Sequence, residues 1–108
     1  MTYTINGKEY TEFDINLRCA ELMQITVLYK VSYLLLECGF SDYNPCQNPA
    51  DTYAIIDKCW DELMKLTETF DDGIADGLCT RWEYLMDYDK CTKLVAACIC
   101  YIEINEAA

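Results

Sequence analysis

The chain contains no histidine and only eight basic residues. The first absence removes the usual base for a serine or cysteine nucleophile. The second, set against nineteen acidic residues and a formal charge of -11, excludes the clustered basic surface that a phosphate backbone requires. Direct nucleic-acid binding is therefore not expected, and a positively charged partner is favoured. No Gly-rich phosphate loop is present. Cys19, Cys38, Cys46, Cys59, Cys79, Cys91, Cys98 and Cys100 include no C-x-x-C pair, so neither a structural zinc site nor any other metal or cofactor is expected. The longest apolar run, near Val31 to Leu36, is too short to cross a bilayer. Met1 to Asn6 offers neither a basic n-region nor an apolar h-region, which argues against secretion and a disulfide framework. Reduced cysteine in apolar runs behaves as a small hydrophobe, and the expected setting is a reducing cytoplasm.

What is present is apolar. Over half of the 108 residues are hydrophobic, enough for one folded domain spanning residues 1–108 and too much for a disordered acidic tail. The most strongly specified stretch is Asn44-Pro45-Cys46-Gln47-Asn48-Pro49-Ala50-Asp51. Asn48 is a natural N-cap, Pro49 fits the first helical position, and Asp51 places a carboxylate in the first turn. These three residues predict a rigid helix start.

Along the chain, Asn6-Gly7 lies between two short segments with aromatic and β-branched residues and predicts a hairpin. Thr11 followed by Asp14 resembles a capping box, with Phe13, Leu17, Ala20 and Met23 at helical spacing, so a first helix should run to about Met23. Residues 25–37 fit both periods. Ile25, Val27, Tyr29, Val31, Tyr33 and Leu35 would line one face of a strand, whereas a helix would stop at Gly39; the β-branched and aromatic content favours the strand. A second helix is expected from Pro49 to about Met64, with Tyr53, Ile56, Trp60 and Leu63 along one stripe and Asp57, Asp61 and Glu62 away from its centre. Lys65 to Phe70 and Leu78 to Met86 alternate as two strands joined by the turn-rich 71–77 segment. Asp87 or Asp89 should cap a third helix striped by Cys91, Leu94, Val95, Cys98, Tyr101 and Ile102, with Asn105 to Ala108 frayed. The fold class expected is α+β, a small, mostly antiparallel sheet with helices on its faces.

Asp42 to Asp51, followed by Tyr53 and Ile55-Ile56, resembles the signature of small tailed-phage proteins of the NinX-like group, in which N-P-x-x-N-P-A-x-x-W-x-I-I precedes a helix. Thr11 to Glu21 is similar to that group's first helix, and Lys93 to Ile99 resembles its C-terminal Ala-rich helix. Tyr53 stands where the group usually has tryptophan, and the segment before the Asn-Pro phrase is short, which implies a reduced sheet. The resemblance implies an α-β-α sandwich and a phage or prophage origin, hence a host-cell cytoplasm, and it supplies no catalytic residues.

Candidate sites are few. In a twelve-position calcium loop starting at Asp72, Asp76, Gly77 and Glu83 match, but Ile74 occupies a ligand position and the flanks read as strands, so an acidic turn is the simpler reading. Cys46, just before a helix N-terminus, is the best-placed thiol for a lowered pKa, yet no base accompanies it and a packed structural cysteine is the expected reading. No catalytic constellation emerges and an enzyme is not expected. Asp57, Asp61, Glu62, Asp71, Asp72, Asp76, Asp87 and Asp89 remain as candidate partner-binding residues. Gathered together, they would mimic spaced phosphates and fit a basic groove, with tyrosines, Trp60 or Trp82 as anchors. The function expected is that of a phage accessory protein that inhibits a host protein with a basic surface, such as a CRISPR-type defence complex. Alternatives are a binder that sequesters a nucleotide or metal, and a homodimeric structural or phage assembly component.

Overall fold

Asn6 and Gly7 both adopt positive φ, 51° and 82°, and join strand β1 (Tyr3–Ile5) to β2 (Lys8–Tyr10) with Ile5 opposite Lys8. The hairpin expected from this dipeptide is formed, because the twist of such a turn matches that of the strands it joins. The computed structural model describes residues 2–25, 27–30, 34–36, 42–65, 67–71 and 76–106.

Helix α1 (Glu12–Leu22) opens on the expected capping box: the Thr11 hydroxyl accepts from the Asp14 N–H at 3.1 Å, and the Asp14 carboxylate accepts from the Thr11 N–H at 3.0 Å. It closes where Gln24 turns to φ 58°. There the Ile25 N–H donates to the Ala20 carbonyl and the Gln24 N–H to the Glu21 carbonyl, a Schellman closure built on a residue other than glycine.

Residues 25–37 contain extended chain rather than helix, but not one strand. Strands β3 (Val27–Lys30) and β4 (Leu34–Leu36) pair antiparallel, with Val27 opposite Leu36 and Lys30 opposite Leu34, and β4 also pairs with β5 (Asp42–Tyr43). The period-2 pattern continues across the reversal, so alternation alone did not reveal it. Residues 31–33, Cys38 and Gly39 lie outside the described residues.

The expected second helix is divided at Cys59 (φ -115°, ψ 19°) into α2 (Pro49–Lys58) and α3 (Trp60–Lys65). Its buried stripe is Thr52, Ile55, Ile56, Cys59 and Leu63; Tyr53 and Trp60, placed by their spacing on one stripe with Ile56 and Leu63, are exposed. Small Thr52 and Cys59 let this helix approach its neighbour closely, which two aromatic rings would prevent.

Strands β6 (Thr67–Asp71) and β7 (Asp76–Thr80) form the second expected hairpin, paired from Thr67–Thr80 to Asp71–Asp76, while Lys65 belongs to α3. Beyond Thr80 the chain is helical, not extended. Helix α4 (Arg81–Asp87) begins on a second capping box, in which the Thr80 hydroxyl accepts from the Glu83 N–H at 3.1 Å. Asp87 therefore ends a helix, and neither it nor Asp89 caps the next one. Thr92 does so, its hydroxyl accepting from the Val95 N–H at 3.2 Å at the start of α5 (Lys93–Glu106). A hydroxyl three residues before the first buried position suits that role better than an aspartate further upstream. The expected fraying is also absent through Glu106, which accepts from Arg18 Nε at 2.8 Å.

The result is an α+β fold with antiparallel pairing. Among the described residues the pairing is divided over three small ladders, β1–β2, β3–β4–β5 and β6–β7. The elements gather around α5, on which α1, α2, α3, α4 and β1 all pack. Val95 to Ile102 is buried without interruption, broader than the stripe expected from sequence and typical of a helix enclosed on all sides. Arg81 fixes α4 to α5 through two bonds to Glu103, at 3.2 and 3.3 Å. Because Gln24 occupies a left-handed position that costs an L-residue about 1 kcal/mol, Gln24→Gly should raise the free energy of unfolding by about that amount in a urea titration.

Candidate functional site

The described acidic candidates fall on three parts of the fold. Asp57 projects from α2 and Asp61 and Glu62 from the first turn of α3, all exposed. Asp87, the last residue of α4, and Asp89, just beyond it, are exposed as well. Asp71 and Asp76 are opposite one another across the β6–β7 ladder. Asp72 and the rest of 72–75 lie outside the described residues. α3 neighbours β7 and α4 neighbours both strands of the hairpin, so the elements that carry these acids are contiguous. Glu83, the last position of the calcium-loop reading, accepts from the Thr80 hydroxyl at 3.0 Å. That loop is flanked on its N-terminal side by β6 and runs into β7, without the paired helices of an EF-hand. Among the described residues no cluster of three or more Cys, Asp or Glu is arranged to hold a metal ion.

The Asn44–Asp51 stretch is built as expected at its helix end and differently elsewhere. Asn48 Oδ1 accepts from the Ala50 N–H at 3.1 Å, with Pro49 in the first helical turn. Asp51 lies in the first turn of α2 as expected, but its carboxylate is not spent on the helix's own N–H groups. It reaches back to accept from the Asn44 N–H at 3.0 Å and fastens the start of the loop. The Thr52 hydroxyl shares its hydrogen between the Pro45 and Asn48 carbonyls, the latter at 2.9 Å.

A residue that sequence reasoning passed over anchors this loop to α1. Buried Asn16 donates from Nδ2 to Asn44 Oδ1 at 2.9 Å and accepts on Oδ1 from the Cys46 N–H at 3.1 Å. An amide that pairs both its donor and its acceptor in a low-dielectric setting fixes orientation as well as distance. The available signal was Asn16 between Ile15 and Leu17, a polar group beside the helix's apolar positions. Gln47 adds an outer tie, donating to Glu12 Oε1 at 2.9 Å.

The same docking removes Cys46 from chemistry. Its thiol is buried and faces the Glu12 carbonyl at 3.8 Å. Its pKa is pushed well up, first by a hydrogen bond with Cys98 and then by burial, as befits the packed structural cysteine expected from sequence rather than a thiol activated by the helix terminus. Cys98 in turn is hydrogen-bonded to Cys19 and Cys46, and its pKa is also raised. Burial pushes Cys59 up to about 11 and Cys100 up to about 12. These thiols are structural hydrophobes within the helical core. Tyr43, buried nearby, has the one buried side-chain oxygen without a partner among the described residues.

Open clefts flank the core. One of about 310 Å³ lies over Cys46, between Glu12 and Leu94, and is largely apolar. Another of about 560 Å³ includes Arg18, Glu21 and Glu106, where Arg18 is engaged by Glu106, whose carboxyl it holds below the ordinary range chiefly through their hydrogen bond. No described helix is long and apolar enough to cross a membrane. Comparison with protein-family models, with curated proteins and with solved structures returns no match.

Two outcomes test this account. Asn16→Ala leaves the Cys46 N–H and the Asn44 amide without partners and should lower stability by about 1–3 kcal/mol, against about 1 kcal/mol for Asn48→Ala, both by chemical denaturation. The second concerns alkali. A thiol whose folded pKa lies above its unfolded value stabilises the fold fully below the unfolded value, and that stability is lost as pH rises through the folded one. Between the ordinary value of 9.0 and about 11–12, where Cys59 and Cys100 ionise in the folded protein, the melting temperature should fall steadily. Replacing both with alanine should flatten that decline.

Proposed function

We propose that the chain acts without catalysis as a small acidic protein whose partner is another protein with a basic surface. More specifically, it is a phage or prophage accessory protein that inhibits a nucleic-acid-handling defence complex of the host, of the CRISPR type, in the host cytoplasm. The observation that carries this reading is the exposure of Asp57, Asp61, Glu62 and Asp87 on helices fixed to one core, with Asp89 just beyond α4, in a chain of net charge -11. Carboxylates held at defined spacings attract a groove evolved for phosphates, and a fixed scaffold lowers the ordering cost of binding. The inert thiols support it from the other side, since the nucleophile best placed by sequence is protonated and enclosed.

The phage origin rests on the NinX-like phrase at Asn44 to Asp51. The test is competition. Immobilised protein should retain a purified CRISPR effector complex at low salt, release it at high salt, and lose it to added duplex DNA. Combining Asp57→Asn, Asp61→Asn and Glu62→Gln should weaken retention by about tenfold, or about 1.4 kcal/mol. No retention at low salt, or retention that duplex DNA leaves untouched, would remove the phosphate-mimicry reading.

A further inference from the structure

Tyr53, Asp57, Trp60 and Met64 follow one another at intervals of four, three and four residues, which places them in one row along α2 and α3. The row runs past the break at Cys59, because the Cys59 N–H donates to the Ile55 carbonyl at 3.1 Å and the Leu63 N–H to the Cys59 carbonyl at 2.8 Å. Tyr53 is 51 % exposed, Trp60 50 % and Met64 39 %. Only two other large hydrophobics are exposed among the described residues, Leu78 and Tyr88, and Leu78 is on β7, the strand beside α3. Among the described residues, exposed apolar surface is therefore concentrated on this flank. Scattered single residues would need no explanation, whereas a row of aromatic and methionine side chains has the composition of an interface centre.

The charges within and beside the row specify what would cover it. Asp57 is in the row, and Asp61, one residue beyond Trp60, lies roughly 100° round the helix. Lys58, Lys65 and Glu62 lie still further round. At the other end, the Lys93 ammonium sits 6.0 Å from the centroid of the Tyr53 ring, so this aromatic face already accepts a cation from its own chain. A second copy is disfavoured, since self-pairing would set Asp57 and Asp61 against their equivalents in an already acidic molecule. A partner with its own apolar stripe and cationic flanks satisfies both the rings and the acids.

We propose that the Tyr53–Trp60–Met64 row, with Asp57 and Asp61, is the docking face for a cationic amphipathic helix of a partner protein. This rests on the protein-binding function proposed above and assigns its contact surface and the class of partner segment. Trp60 is the central anchor, Tyr53 and Met64 flank it, and the carboxylates orient the incoming helix.

A fluorescein-labelled peptide with leucines at heptad spacing and arginines elsewhere serves as the probe, with a peptide of the same composition scrambled to remove the apolar stripe as its control. Anisotropy titration of the full chain should show at least about tenfold tighter binding of the amphipathic peptide than of the control. Trp60→Ala should remove about tenfold of that affinity without changing the melting temperature, and Asp57→Asn with Asp61→Asn should weaken binding several-fold at low salt and little at high salt. Equal affinity for both peptides, or no effect of Trp60→Ala, would overturn the assignment. So would sedimentation showing a dimer that Trp60→Ala dissociates, because a second copy would then be the occupant. Selective peptide binding in a protein from which duplex DNA displaces no partner would uphold the docking face while the phosphate-mimicry reading falls. DNA-sensitive retention without selective peptide binding would overturn the docking face alone.

Discussion

Helix α5 has no solvent side from Val95 to Ile102, and this enclosure governs how the other elements are arranged. Alanine at 96 and 97 and cysteine at 98 and 100 give it a low-relief surface, so helices on several sides can approach closely without leaving voids. Covering a single rod takes α1, α2, α3, α4 and β1. Strand pairing, divided over three short ladders among the described residues, joins this cover through β1. Cysteine suits this position because, kept protonated by burial, it contributes volume and dispersion contacts with little polar demand.

Local signals were legible wherever one or two residues set the backbone. Asn6-Gly7, the Thr11–Asp14 box and Asn48-Pro49 each specify a turn or a helix start through their own hydrogen bonds and dihedral preferences, independent of what packs nearby. Thr80-Arg81-Trp82-Glu83 carries the same box, but the alternation from Leu78 to Met86 overrode it in the reading. The stripe on α2 and α3 was misassigned for a different reason. Helical spacing grouped Tyr53 and Trp60 with Ile56 and Leu63, whereas packing on α5 selects the small neighbours Thr52 and Cys59. Of the candidate site, the positions of Asp57, Asp61 and Glu62 on a helix and of Asp71 and Asp76 at the β6–β7 hairpin could be read in advance, whereas Asp87 and Asp89, read as caps of the last helix, lie at and beyond the end of α4. Nor could the acids' neighbours be read, because contiguity of α3, α4 and the hairpin is a tertiary property.

The polar tie between Asn16 and the Asn44–Cys46 segment complements the apolar core. Hydrophobic contacts around α5 are permissive of small rotations, while paired amide bonds at 2.9 and 3.1 Å are not. It therefore sets the azimuth of α2 and, through the bonds that continue into α3, the direction in which the exposed row faces. Asp51 and Thr52 reinforce this by closing the loop onto itself.

The same tie has an evolutionary consequence. Asn16 and Asn44 are brought together across the β3–β5 ladder, and among the described residues the stronger contacts of that ladder are between its own strands. A chain excursion pinned at its base can be lengthened at small thermodynamic cost, about 0.6 kcal/mol for each doubling of its length. The segment between α1 and the Asn-Pro loop is thus a cassette, where relatives could diverge in length and sequence while the helical core and the α2–α3 flank keep their geometry.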